Sequence, residues 1–123
     1  MAAGGALGGL ARWGLTAILP TGGAGVPWAT LAANATGSLL LGALMVVLAD
    51  SPARSSLARP FLGVGLLGGF TTFSTYAVEG WALLDDDRLL LAGGYLAGTV
   101  AVCLACTWAG MLAARAVTGR ARR

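Results

Sequence analysis

Gly68-Gly69-Phe70-Thr71-Thr72-Phe73-Ser74-Thr75-Tyr76 lies in the middle of a stretch, about residues 61–84, that is otherwise apolar enough to cross a bilayer. In hydrocarbon every backbone N–H and C=O needs a partner. A run of glycines and small hydroxyl side chains at that depth is therefore tolerated only where it is buried in protein or lines a cavity. The run predicts a membrane helix broken near its middle, and the break is the first place to look for a binding site.

Working outward, the 123 residues are 57% hydrophobic and only 11% charged, with a mean hydropathy of +0.79, which marks an integral, all-α membrane protein. A crossing takes about 20 apolar residues. Four such stretches fit, at about 2–19, 27–49, 61–84 and 89–116, so residues 1–123 read as one four-span membrane domain. Turn chemistry separates them: Pro20-Thr21-Gly22-Gly23, Asp50-Ser51-Pro52 and Asp85-Asp86-Asp87-Arg88, with Pro27 placed as a first-turn residue. Arg12 lies inside the first apolar stretch rather than before it, so that stretch reads as a permanent span and not as a secretory signal.

Composition also removes chemistries. Without histidine or lysine the chain has no unperturbed imidazole for neutral-pH proton transfer and no amine for a Schiff base, and an enzyme is not expected. Cys103 and Cys106 have a dithiol spacing, but inside an apolar helix they read as small packing residues, with neither a disulfide framework nor a zinc site supported. Membrane lipid, not nucleic acid, is the expected surroundings.

Four helices of this size do not enclose a wide aqueous pore alone, so an oligomer is expected. Gly4 and Gly8, Gly5 and Gly9, Gly65 and Gly69, and Gly94 and Gly98 carry the four-residue spacing that lets membrane helices approach closely. Four spans put both termini and the middle loop on one side of the membrane. That side holds Arg54, Arg59, Arg115, Arg120, Arg122 and Arg123, and the other holds Arg88 beside three aspartates. The positive-inside tendency then makes both termini cytoplasmic in a multi-pass plasma-membrane protein.

Polar side chains inside apolar spans are the informative minority. Thr30, Asn34 and Ser38 share one helical face, and Asn34 offers donors to replace the water shell of a small anion. The same residues also suit a helix-to-helix hydrogen bond. Tyr95, Thr99 and Cys103 repeat the spacing, with two hydroxyls and a thiol. The alternative is a Thr99 bonded back to its own helix and a Tyr95 near the interface. Phe73 and Tyr76 follow the glycines, and their ring edges carry the positive part of the aromatic quadrupole, although simple packing also explains such a pair. Glu79 is the one acid well inside a span, either a gate or hydrogen-bond partner, or a residue near water. Arg12 is the one base there, serving as a vestibule charge or a snorkelling anchor.

Gly-Gly-Phe-Thr-Thr-Phe-Ser-Thr-Tyr at 68–76 resembles the Gly-Gly-Leu-Thr-Thr-Phe-Ser-Thr-Phe signature of the Fluc-type (CrcB family) fluoride channels. Gly8-Gly9-Leu10-Ala11-Arg12, Asn34-Ala35-Thr36-Gly37-Ser38 and Glu79 match in the same order, and the length and four-span layout fit. The resemblance implies a channel that lets fluoride leave the cytoplasm passively and so gives fluoride resistance, built as an antiparallel, dual-topology-type dimer with two pores. It implies that Phe73 offers a ring edge, Asn34 donates from its amide, and Tyr95 and Thr99 join a polar track. It also implies that the Gly68 and Thr71 carbonyls of both subunits hold a structural Na⁺. Tyr76 and Cys103 depart from the family pattern, one adding a phenol beside the path and the other replacing a hydroxyl by a weaker donor. The arginine bias points to a partner that is a paralogous chain of opposite orientation rather than a second copy. A non-conducting partner subunit is the rival reading. A small multidrug exporter shares only the layout, since its first span needs an acid and this one carries Arg12.

Overall fold

The computed structural model describes residues 1–19, 25–49 and 56–121, which form four helical segments and contain no strand. They are α1 (Ala2–Ile18), α2 (Trp28–Ala49), a third segment over Ser56–Asp85, and α5 (Leu89–Ala121). The third segment contains α3, a π-helix over Arg59–Leu67 that runs on as a single α-helical turn, Gly68–Phe70, and then α4 (Ser74–Asp85). The expected turns at Pro20 to Gly23 and at Asp50 to Pro52, and the arginines Arg54, Arg122 and Arg123, lie outside the described residues.

Three segments are long and apolar enough to cross a membrane: Trp28–Ala49, Ser56–Asp85 and Leu89–Gly119. α1, expected to span from 2 to 19, has 17 residues. At 1.5 Å per residue that is about 26 Å, slightly short of a hydrocarbon core of about 30 Å. The third segment starts earlier than expected because Pro60 sits in its first turns, where a missing N–H breaks no ladder bond. α5 continues beyond 116 because nothing in Val117 to Ala121 stops a helix. Its 33 residues, about 50 Å long, exceed the bilayer core and carry the basic end out of it.

Apolar side chains cover the outside, with Leu90 94% and Ile18 78% exposed, as lipid-facing positions require. Inside, α2 packs along α5, α1 packs against α3 and the Gly68–Phe70 turn, and α4 packs on α5. Leu83, Ala92 and Tyr95 form the centre of the α4–α5 contact, flanked by Val26, Tyr76 and Leu96. The hairpin between these helices is closed by a left-handed Asp87 (φ 57°), with Asp87 N donating to Leu84 O and Arg88 N to Leu83 O. That pattern satisfies the last carbonyls of α4 before α5 begins.

Close approaches between the helices need glycine, those at Gly8 and Gly110 among them. A Cβ at Gly8 would collide with the Leu66 carbonyl of α3, and one at Gly110 of α5 with the Leu39 carbonyl of α2. Gly9, by contrast, has nothing within 4 Å of the place a Cβ would take. Gly8→Val should therefore lower the detergent-solubilised protein's stability by at least the ~1–3 kcal/mol typical of overpacking, while Gly9→Ala leaves it near the native value. Thermal unfolding followed by gel filtration checks the pair, and equal effects would mean that α1 does not pack on α3 through this face.

Candidate functional site

The sequence places the helix interruption at Gly68 to Thr72. Gly68 to Phe70 is helical, and the residues outside the helices are Thr71, Thr72 and Phe73, with Thr71 extended at φ −79° and ψ 158°. The local cause is a pair of hydrogen bonds from α2. Asn34 Nδ2 donates to Thr72 O at 2.9 Å, and Thr72 N donates to Asn34 Oδ1 at 2.8 Å. One carboxamide thus replaces both backbone ladder partners of a residue, and Asn34 and Thr72 are both buried.

Carbonyls before the junction lose their usual helical donors, Gly68 O and Thr71 O among them. In a continuous helix Thr72 N–H would reach Gly68 O and Thr75 N–H would reach Thr71 O. Here the first goes to Asn34 and the second to Thr72 Oγ1 at 3.2 Å. Thr72 Oγ1 itself donates to Thr75 Oγ1 at 3.0 Å, so the Thr72 side chain caps the first turn of α4. Thr71 turns inward along its own chain, Oγ1 donating to Leu67 O at 2.9 Å.

Beside this junction lies a cavity of about 490 Å³ between α2, the third segment and α5. Among the expected site residues Asn34, Ser38, Gly68, Thr71, Phe73, Tyr76, Thr99 and Cys103 line it. Thr99 Oγ1 is buried without a hydrogen-bond partner. Phe73 is 80% exposed, and its ring meets Tyr76 at a centroid distance of 5.8 Å and an angle of 48°. Tyr76 in turn meets Tyr95 at 5.5 Å and 46°.

Thr30, Glu79, Tyr95 and Arg12 are not among the cavity residues. Glu79 is held from two helices, by Thr30 Oγ1 to Oε1 at 2.9 Å and by Tyr95 OH to Oε2 at 2.8 Å. Tyr95 is 4% exposed, so it sits in the core rather than at the interface, and its phenol proton is committed to the carboxylate. Arg12 Nη1 reaches Thr75 Oγ1 at 3.4 Å, while its Nε is buried without a partner. The two polar stripes therefore divide. Their lower members, Asn34, Ser38, Thr99 and Cys103, face the cavity, and their upper members, Thr30 and Tyr95, meet at Glu79.

A family model described as CrcB-like protein, Camphor Resistance (CrcB), matches residues 1–111. The chain belongs to the CrcB family. Curated relatives include Fluoride-specific ion channel FluC 2 of Nocardia farcinica, 51% identical over 98% of this chain and 86% of the relative. Fluoride-specific ion channel FluC 1 of Streptomyces coelicolor is 44% identical over 95% and 76%, and Fluoride-specific ion channel FluC of Geobacter sulfurreducens is 41% identical over 90% of each.

Sequence reasoning passed over Thr72 and Thr75 as site residues of this CrcB chain. The signal was present: an asparagine on a helix facing an interrupted backbone supplies one donor and one acceptor, the complement of the backbone C=O and N–H of a single residue. Gly37 was also unassigned, yet a Cβ there would collide with the Thr71 methyl, so glycine lets the interruption lie against α2.

Asn34→Ala leaves Thr72 N–H and C=O unpaired in a buried place, at about 1–3 kcal/mol for each group. A large drop in thermal stability is expected, with Asn34→Asp an intermediate case because it keeps an acceptor for Thr72 N and loses the donor. Equal stability of all three proteins in a detergent melt would show that the clasp does not hold the junction.

Proposed function

We propose that this chain conducts fluoride passively out of the cytoplasm and so gives fluoride resistance. Its family membership and the printed names of its relatives support the reading. The observation that carries it is the character of the cavity wall: amide, hydroxyl, thiol and ring edges meet there, while Glu79 is tied off and Arg12 stands outside. Fluoride is small and strongly hydrated. A selective path must replace its water by neutral donors and still release it, which fixed positive charge along the wall would prevent.

In this reading Asn34, Ser38, Thr99 and Cys103 supply donors from the sides, and Phe73 and Tyr76 supply ring edges. Thr30 and Tyr95 act indirectly by keeping the Glu79 carboxylate occupied, since a free carboxylate would repel the ion. The third segment crosses the membrane as one helix broken at its centre. An antiparallel second subunit covers the exposed Phe73 and completes the path. The arginine bias favours a paralogous partner of opposite orientation, with the termini of this chain cytoplasmic.

Gly68 and Thr71 suit a structural Na⁺, because their carbonyls are among those at the junction whose helical donors, Thr72 N–H and Thr75 N–H, are engaged elsewhere. Hard cations prefer oxygen ligands, and two subunits meeting at this point supply four. The bound ion would contribute a fixed positive charge that holds the opposed carbonyls together.

Two measurements test the reading. Liposomes containing the purified chain, alone or co-expressed with a paralogue, should release fluoride but not chloride. Phe73→Ile should cut that release at least about tenfold, a barrier change of about 1.4 kcal/mol. Unchanged fluoride resistance in cells carrying Phe73→Ile would instead indicate a subunit that lines no working pore. For orientation, a reporter fused after Arg123 should be active only on the cytoplasmic side, and periplasmic activity would overturn the assigned topology.

A further inference from the structure

Tyr76 stands in the cavity wall with its ring between Phe73 and Tyr95, but its hydroxyl does not point at the cavity's other donors. It donates to the backbone carbonyl of Leu96 on α5 at 2.8 Å. A carbonyl has two lone pairs, so Leu96 O accepts this bond in addition to its place in the α5 ladder. Behind Tyr76, Tyr95 is fixed by Glu79, and Glu79 by Thr30. In front of it, Phe73 is exposed and has Tyr76 as its ring neighbour. The three rings therefore form a ladder whose inner rung is held by Glu79, whose middle rung is held by Leu96, and whose outer rung leans on the middle one.

We propose that the Tyr76 hydroxyl is a latch: by donating to Leu96 O it fixes the ring pair Phe73–Tyr76 against α5, so that the hydroxyl positions the rings and slows anion passage rather than donating to the anion. The slowing rests on the channel reading above, and the latch does not. Phe73 and Tyr76 stand side by side in the cavity wall, so an ion moving along that wall passes the rings and is slowed where they do not yield. A ring with a committed hydroxyl yields less often than one with no hydroxyl. Loss of a single neutral hydrogen bond of ordinary strength shifts such a population by about fivefold. Tyrosine at 76 also removes the donor that the sequence alone seems to add to the path, because its proton is already spent.

The test uses the full chain. Tyr76→Phe keeps the ring and its two ring contacts and removes only the hydroxyl. Fluoride efflux from liposomes, measured beside the native protein at matched protein content, should rise by up to about fivefold. Equal efflux overturns the brake, and lower efflux shows that the hydroxyl serves the ion directly. A second measurement does not depend on transport. Tyr76 and Tyr95 are the chain's two tyrosines, so protein labelled at tyrosine Cζ gives two NMR lines, and the one lost in Tyr76→Phe is Tyr76. Its phenol proton should be protected from exchange with D₂O in the native protein. Free exchange overturns the latch. Native protein that moves no fluoride either alone or co-expressed with a paralogue removes the brake together with the channel reading, while the proton measurement still decides the latch.

Discussion

The rest of the structure hangs on the two hydrogen bonds between Asn34 and the backbone N–H and C=O of Thr72. A membrane helix cannot stop in the middle of a bilayer unless something takes over its backbone groups, because no water is there to do so. Asn34 takes over one donor and one acceptor at once. It is carried to the right place by α2, whose Gly37, one turn on, lets the Thr71 side chain lie against the helix. With Thr72 held, Thr71 can be extended, Phe73 can swing outward, and Thr72 Oγ1 can restart the chain as α4. The π-helical winding of α3 precedes the same junction. It brings Gly63, Leu67 and Gly68 to the cavity wall, in keeping with the tendency of wide helical turns to sit beside functional sites.

A second constraint acts on charge. Glu79 is an acid inside an apolar segment, and such a group is costly unless it is satisfied. Thr30 from α2 and Tyr95 from α5 satisfy one oxygen each, so the carboxylate joins three helices, and Glu79 is not among the residues that line the cavity. A single polar stripe on α2 thereby serves three ends: Thr30 holds the acid, Asn34 holds the backbone, and Ser38 reaches the cavity wall. The division follows from helix geometry, since residues four apart share a face but stand about 6 Å apart along the axis.

How much of this could be read from the sequence follows from which forces are local. The helical segments were legible because hydropathy and turn residues act over short ranges, and α2 and α5 begin within a residue of the expected places. The extent of α5 was missed because a basic end does not stop a helix. Gly68 to Thr72 pointed to irregular backbone, and the residues outside the helices are Thr71 to Phe73, so the glycines themselves stay helical. Glycine permits a break, whereas the partner that enforces it, Asn34, is 38 positions away. The same limit explains Tyr95. Its spacing from Thr99 and Cys103 suggested one continuous track, and only the contact with Glu79 separates it from the cavity group. Tyr76 shows the opposite case, where a residue type was noticed correctly and its partner, a backbone carbonyl, leaves no trace in sequence at all.

Placing neutral groups along the cavity and tying the charges elsewhere has a physical consequence for any anion that enters. In a low-dielectric surround a fixed arginine would bind the ion strongly and a free carboxylate would exclude it, and each effect is several-fold larger than in water. Amides, hydroxyls and ring edges act through partial charges, so their attraction is strong enough to offset lost hydration only when several act together and at close range. The narrow spacing demanded of such a wall explains why its backbone is fixed so firmly by Asn34 and why its rings lean on one another. A loose wall of weak donors would neither attract a small anion nor tell it from a larger one, whereas a firm one can do both without a single full charge on its surface.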